Sequence, residues 1–183
     1  MDYRAPDKAQ IQTFLENGYL LLESCFEAWT PGAMSPTDEA SLFALASSLL
    51  QNEHIVLKNK NLYIDPPGSK PDKFRSQRGD MTTGLSLFLC LAGASPGLET
   101  LEIVAGTNDV LPIKEVIKEQ MEDVAWTITK YDSSSLKLFQ ISLQPGDVLA
   151  LAAGVFHRKL PNATPSIRQM VELNYIIHHP KQP

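Results

Sequence analysis

Cysteine is scarce in this chain. Cys25 and Cys90 are the only two, far apart and each in or beside an apolar run. That pattern implies no disulfide framework, and a reduced, cytoplasmic protein is expected. Positive charge is also short. Sixteen Lys and Arg stand against 21 Asp and Glu, a net charge of −5, which argues against a nucleic-acid partner. No apolar run approaches the roughly 20 residues that span a bilayer. The opening MDYRAPDKAQ lacks the basic-then-apolar layout of a secretion signal, so neither membrane nor export is expected. Internal repeats and low-complexity tracts are missing. What is present is an ordinary hydrophobic fraction, 43%, in 183 residues, enough for one domain with a real core.

The most informative stretch runs from Leu143 to Tyr175. A turn, Pro145-Gly146-Asp147, precedes the apolar run Val148 to Ala153. His157 follows after Gly154. A second turn-rich patch, Pro161 to Pro165, leads to Arg168 and the run Gln169 to Ile177. The pattern predicts two strands joined by a loop, with His157 near the end of the first and Arg168 at the start of the second. Alternation places Arg168, Met170, Glu172 and Asn174 on one face. An imidazole and a guanidinium at the mouth of one strand pair suit a small acidic ligand. The plainer reading is a surface His and a surface Arg.

Upstream, Asp7 caps a short helix carrying Ile11, Phe14 and Leu15, and Gly18 stops it. Tyr19 to Leu22 reads as a strand. Ser35-Pro36-Thr37-Asp38 starts a second helix, whose wide apolar stripe (Leu42, Phe43, Leu45, Ala46, Leu49, Leu50) packs it outside a sheet. Ile55 to Leu57 and Leu62 to Ile64 read as short strands around a turn at Lys58-Asn59-Lys60-Asn61. Asp65 to Pro71, with three prolines, reads as loop. Gly84 to Leu91 is a continuous apolar strand buried on both faces. Leu101 to Val104, Val124 to Ile128 and Leu136 to Leu143 are further strands, and Pro112 to Met121 reads as an amphipathic helix. About eight strands with short helices predict a mainly β domain, an antiparallel sandwich or barrel.

PGDVLALAAGVFHRKLPNATPSIR resembles the C-terminal signature of the phytanoyl-CoA dioxygenase-like family, G-D, an apolar run, His, a short loop with Asn, then Arg. FLENGYLLLES is similar to the family's opening, and PPGSKP to its loop before the first iron-ligand motif. The resemblance implies a double-stranded β-helix (jelly-roll, cupin-like) over 1–183, with residues 1–60 as support and 61–177 as barrel core. It implies a non-haem iron, 2-oxoglutarate-dependent oxygenase in which His157 is the distal iron ligand and Arg168 binds the far carboxylate of 2-oxoglutarate. The PGSKP loop looks like that of fungal enzymes tailoring terpenoid, polyketide and alkaloid intermediates.

The pattern breaks at the first metal motif. A facial iron site needs two His and one carboxylate, two of them from an H-x-D after the loop. Counted without a gap from Pro67, that motif falls on Arg75-Ser76-Gln77; counted back from the next strand, it falls on Arg78-Gly79-Asp80. Neither contains His, and an arginine stays protonated and cannot ligate a metal. The fold is therefore expected without the iron site; any residual metal would rest on His157 and Asp80.

What is left is a cationic cleft of Arg168, His157, Asp80 and either Arg75 or Arg78, in which His157, Asp80, Arg75 and Arg78 are the catalytic candidates. His157 can then act as general acid or base near neutral pH. Arg168, Gln77, Tyr63, Asn162 and Asn174 are substrate-binding candidates, the last four secondary and read as structural before catalytic. The expectation is a cofactor-free isomerase, cyclase or dehydratase on a small, mostly apolar biosynthetic molecule. Alternatives are an Fe(II)/2-oxoglutarate oxygenase with an unusual ligand set and a non-catalytic binding protein.

Overall fold

The computed structural model describes residues 5–26, 36–77, 83–93, 98–104, 118–121, 125–128 and 138–178. Helix α1, Lys8–Asn17, starts where Asp7 accepts the Gln10 amide proton at 2.8 Å while the Gln10 side chain accepts from the Asp7 N–H at 3.0 Å. Gly18, at φ 76°, ends it by donating its N–H to the Phe14 carbonyl. Strand β1, Tyr19–Leu22, follows, then helix α2, Pro36–Leu50. Leu42, Leu45, Ala46 and Leu49 of α2 are buried, while Phe43 faces outward.

Strand β2 runs unbroken from Ile55 to Asp65. This corrects the expected pair of short strands around a turn at 58–61. The reason is position: β2 lies at the edge of its sheet, where Lys58 and Lys60 face solvent and protect the exposed edge instead of interrupting it. Strands β3 (Phe74–Gln77), β4 (Gly84–Ala92) and β5 (Leu101–Val104) come next. β6, Lys118–Met121, is a strand, where the apolar periodicity of 112–121 predicted helix. It pairs antiparallel with β7, Ala125–Ile128, so cross-strand bonding overrides a four-residue helical signal; residues 112–117 lie outside the described residues. β8 (Leu138–Ile141), β9 (Val148–Ala152), β10 (His157–Lys159) and β11 (Arg168–Ile177) complete the chain.

The strands form two sheets, a five-stranded one in the order β1-β9-β4-β11-β2 and a six-stranded one in the order β6-β7-β3-β10-β5-β8. All the pairings between these strands are antiparallel. This is a mainly β double-stranded β-helix, flanked among the described residues by α1 and α2. β4 is buried along both faces, as its continuous apolar run predicts, with α2 packed on its outside. The main core joins Leu85, Leu87 and Leu173 of one sheet to Leu101, Ile103 and Ile141 of the other and to Leu42, Leu45 and Leu49 of α2. Both β1 and the first half of β2, which fall in the segment expected to support the barrel, belong to the five-stranded sheet.

The chain changes sheets between β9 and β10. The expected single strand with His157 at its end is therefore two short strands, and His157 and Arg168 sit on opposite sheets. Gly154, at φ 93°, makes the crossing turn.

Candidate active site

Four strands aim polar side chains between the sheets. β2 presents Asn61, Tyr63 and Asp65; β11 presents Arg168, Glu172 and Asn174; β10 presents His157 and Lys159; β3 presents Arg75. Each set has the two-residue spacing that keeps side chains on one face. These groups sort into two clusters.

The first surrounds His157, which is 2% exposed. Its ring meets Phe88 edge-on, with centroids 4.9 Å apart. Its Nδ1 lies 3.1 Å from the Val155 carbonyl, which fixes Nδ1 as the protonated nitrogen. Its Nε2 is buried and has no hydrogen-bond partner among the described residues. Directly across the strand pair stands Arg75. The Arg75 guanidinium donates to the Tyr63 hydroxyl and lies 3.3 Å from Glu172 Oε2. Tyr63 donates in turn to Glu172 Oε2 at 2.5 Å, and Asn61 donates to the same oxygen at 3.1 Å.

The electrostatics follow from this arrangement. Burial pushes His157 down to about 4, with Arg75 adding to the effect and Glu172 opposing it. The imidazole is therefore neutral at pH 7 and titrates well below the neutral range expected of it. Burial works to raise Glu172, but Arg75 and the donated hydrogen bonds win and hold it below its usual value. Burial likewise works against the charge on Arg75, and Glu172 keeps it firmly protonated. Burial and the Glu172 carboxylate hold the Tyr63 phenol well above its ordinary value, so it stays a neutral donor.

The second cluster surrounds Arg168, also 2% exposed. Asp65, its cross-strand partner, takes its Nη2 at 3.1 Å and Nε at 3.3 Å on Oδ2, and the Lys159 ammonium at 2.7 Å on Oδ1. Arg168 Nη2 also donates to the Leu160 carbonyl at 2.6 Å. Asp72 stands 3.6 Å from Lys159. Tyr63 divides the clusters: Lys159 sits over its ring at 4.2 Å and Arg75 at 5.1 Å.

Among the described residues the cations around the expected cleft are each paired. Arg75, Lys159 and Arg168 each face a buried carboxylate. Asn162 is spent on its own loop, donating to the carbonyls of Asp65 and Ser166 and accepting from Thr164. Asn174 accepts from Ser86 Oγ at 2.5 Å. Arg78, Asp80 and the side chain of Gln77 lie outside the described residues. Glu172, Lys159 and Asp65 were not singled out from sequence. The available signal was spacing: Glu172 is four residues from Arg168, while Lys159 and Asp65 are two from His157 and Tyr63.

No family profile and no curated protein matches the chain. Solved structures do. EvdO2 from Micromonospora carbonacea var. aurantiaca superposes with TM-score 0.70 at 17% identity, covering 100% of this chain and 96% of that one. SnoK, a non-haem, α-ketoglutarate-dependent carbocyclase of nogalamycin biosynthesis, gives 0.68 at 14%, covering 96% and 87%. SnoN, the epimerase of the same biosynthesis, gives 0.69 at 14%, covering 92% and 82%. The chain shares the fold of these proteins, of which SnoK and SnoN are non-haem, α-ketoglutarate-dependent enzymes. SnoN is also known with Fe3+ and α-ketoglutarate bound, and EvdO2 with 2-oxoglutarate.

The described residues do not fit the facial iron site of that fold. Among them, no three His, Cys, Asp or Glu side chains gather around one point. The position across from His157 carries Arg75, a cation without a lone pair. Glu172, the carboxylate nearest in charge to His157, already accepts from Tyr63 and Asn61 and pairs with Arg75.

Proposed function

We propose that this chain is a metal-independent enzyme that moves a proton on a small, mostly apolar biosynthetic intermediate, in an isomerase, cyclase or dehydratase reaction. The observation that carries the reading is the buried Nε2 of His157, without a hydrogen-bond partner among the described residues, on the strand position opposite the Arg75 cation. A buried polar atom left unpaired costs about 1–3 kcal/mol, so its retention calls for a use.

In this reading Nε2 removes a proton from a carbon or hydroxyl of the substrate. The free edge of Arg75 holds the oxygen on which negative charge then develops. Glu172 steadies the imidazolium and keeps Arg75 in place, and Tyr63 links the two. An imidazolium of such low pKa gives its proton back readily. Return to a second carbon completes an isomerisation or ring closure; loss of hydroxide, protonated as it leaves, completes a dehydration. Support for the substrate class comes from the fold neighbours, a carbocyclase and an epimerase of natural-product biosynthesis. The expected roles of Asp80, to orient His157 or act as a base, and of Arg78, as an alternative to Arg75, stay part of the proposal.

The test is a screen of carbonyl-bearing polycyclic intermediates in D2O with chelator present, read by mass spectrometry. Deuterium uptake or ring closure by the wild type, lost in His157→Ala, is the expected result. Turnover that requires Fe(II) and consumes 2-oxoglutarate would hand the site to the oxygenase reading. Tight binding of a screened compound without turnover would make it a binding protein.

A further inference from the structure

The second cluster carries an inference of its own. In the fold resemblance, Arg168 is the residue that receives the far carboxylate of 2-oxoglutarate. Here that guanidinium already holds a carboxylate, from within the chain. Both Asp65 oxygens are engaged, Oδ1 by Lys159 at 2.7 Å and Oδ2 by Arg168 at 3.1 and 3.3 Å. The backbone on either side is pinned. Asn162 Nδ2 holds the Asp65 carbonyl at 2.9 Å. Gly93, at φ 76°, lets the Ile167-Arg168 backbone pass so close that a Cβ there would lie 2.1 Å from the Ile167 carbonyl oxygen. Asp65 therefore has no easy exit, and Arg168, 2% exposed, no open face.

We infer that Asp65 is the built-in occupant of a carboxylate subsite formed by Arg168 and Lys159, so that the protein takes no 2-oxoglutarate there. A second carboxylate would have to displace Asp65 from both cations, leaving its buried carboxylate without the partners that hold it. Its corollary is positive: without the Asp65 side chain, the same two cations form a vacant site for a small monocarboxylate such as formate or acetate. This inference rests on the Arg168 cluster and the fold, and stands whether or not His157 performs the proposed proton transfer.

The experiment has two arms. In the first, 2-oxoglutarate is titrated into the wild type by calorimetry, anaerobically, with and without Fe(II). No binding heat and no shift in melting temperature is expected at concentrations to about 1 mM, well above the affinities that most enzymes show for their substrates. In the second, Asp65→Ala is melted in sodium chloride, formate and acetate at equal ionic strength. Truncation should lower the melting temperature by about 10 °C. Roughly 100 mM formate or acetate should restore about 3 °C or more in the variant and none in the wild type. If Asp65→Ala does not fold, Asp65→Ser serves, its short side chain leaving the same two cations open to the carboxylate. Saturable 2-oxoglutarate binding to the wild type overturns the inference, as does a variant that carboxylates do not stabilise beyond chloride. Loss of the His157 chemistry with these results unchanged would sink only the proposed function.

Discussion

The two polar clusters between the sheets are built from the same strands and divided by one tyrosine, yet they end differently. Around Arg168 the buried carboxylate is fully engaged: two cations share Asp65, and Arg168 Nη2 also meets a backbone carbonyl. Around His157 the charges also balance, Arg75 against Glu172, but one nitrogen is left over. Burial makes polar groups expensive in both places. A closed cluster is explained by structure alone. A cluster that excludes water and still leaves a lone pair open is prepared for something that is not part of the chain. The difference between neighbours is what singles out His157, since burial and strand position are shared.

The largest expected effect separates them by function. On the proposed reading His157→Ala lowers turnover by about 10²–10⁴-fold, with near-UV circular dichroism showing a folded protein. Arg168→Leu should do the reverse. It strands Asp65 with Lys159 alone and costs roughly 3–5 kcal/mol by urea unfolding. Lys60→Ala, which breaks an exposed pair with Glu39, is the control and should cost under about 1 kcal/mol. Equal costs for Arg168→Leu and Lys60→Ala would dissolve the distinction between closed cluster and surface pair.

Much of the fold could be read ahead of the structure, and the reason is periodicity. β4 announced itself by an unbroken apolar run, α1 by its Asp7 cap and its glycine, and β9 by the Pro-Gly-Asp turn before it. β2 was harder. Its polar middle suits a turn as well as an edge strand, and only the pairing with β11 decides between them. The change of sheets between Ala152 and His157 was also hidden, because a crossing looks like any loop. At the site, His157, Arg75, Tyr63 and Arg168 were visible as residue types in a pattern. Their partners were not. Glu172 and Asp65 matter through contacts 97 and 103 residues away along the chain, and nothing local in a sequence encodes such a distance.

A smaller effect comes from pH. His157 sits near 4 when folded, against about 6.5 unfolded. The unfolded chain therefore binds a proton that the folded one refuses between those values. Stability is fully present above about pH 6.5 and falls as pH drops towards 4, by up to about 3 kcal/mol. Glu172, held below its ordinary value, adds its own loss lower on the scale, as pH falls past the usual carboxylate range. Glu172, Arg75 and Asp72 all act on His157, so the wild-type curve alone is a composite. The difference between wild type and His157→Gln isolates the imidazole. Chemical denaturation across pH 7 to 4 should give a steeper fall for the wild type, and identical slopes would mean the imidazole is not buried neutral.

The smallest effect bears on the wall between the clusters. Tyr63→Phe deletes the hydroxyl that donates to Glu172 and accepts from Arg75, but keeps the ring under Lys159. Its cost should be about 1 kcal/mol. If the clusters are separate devices, the phenylalanine variant loosens Arg75 alone. Turnover then falls a few-fold through kcat with KM little changed, and the unfolding cost adds to that of Arg168→Leu within about 0.5 kcal/mol in the double variant. A coupling well beyond that would mean the hydroxyl also organises Arg168. The two clusters would then be one network, and the open nitrogen of His157 its single unsatisfied end.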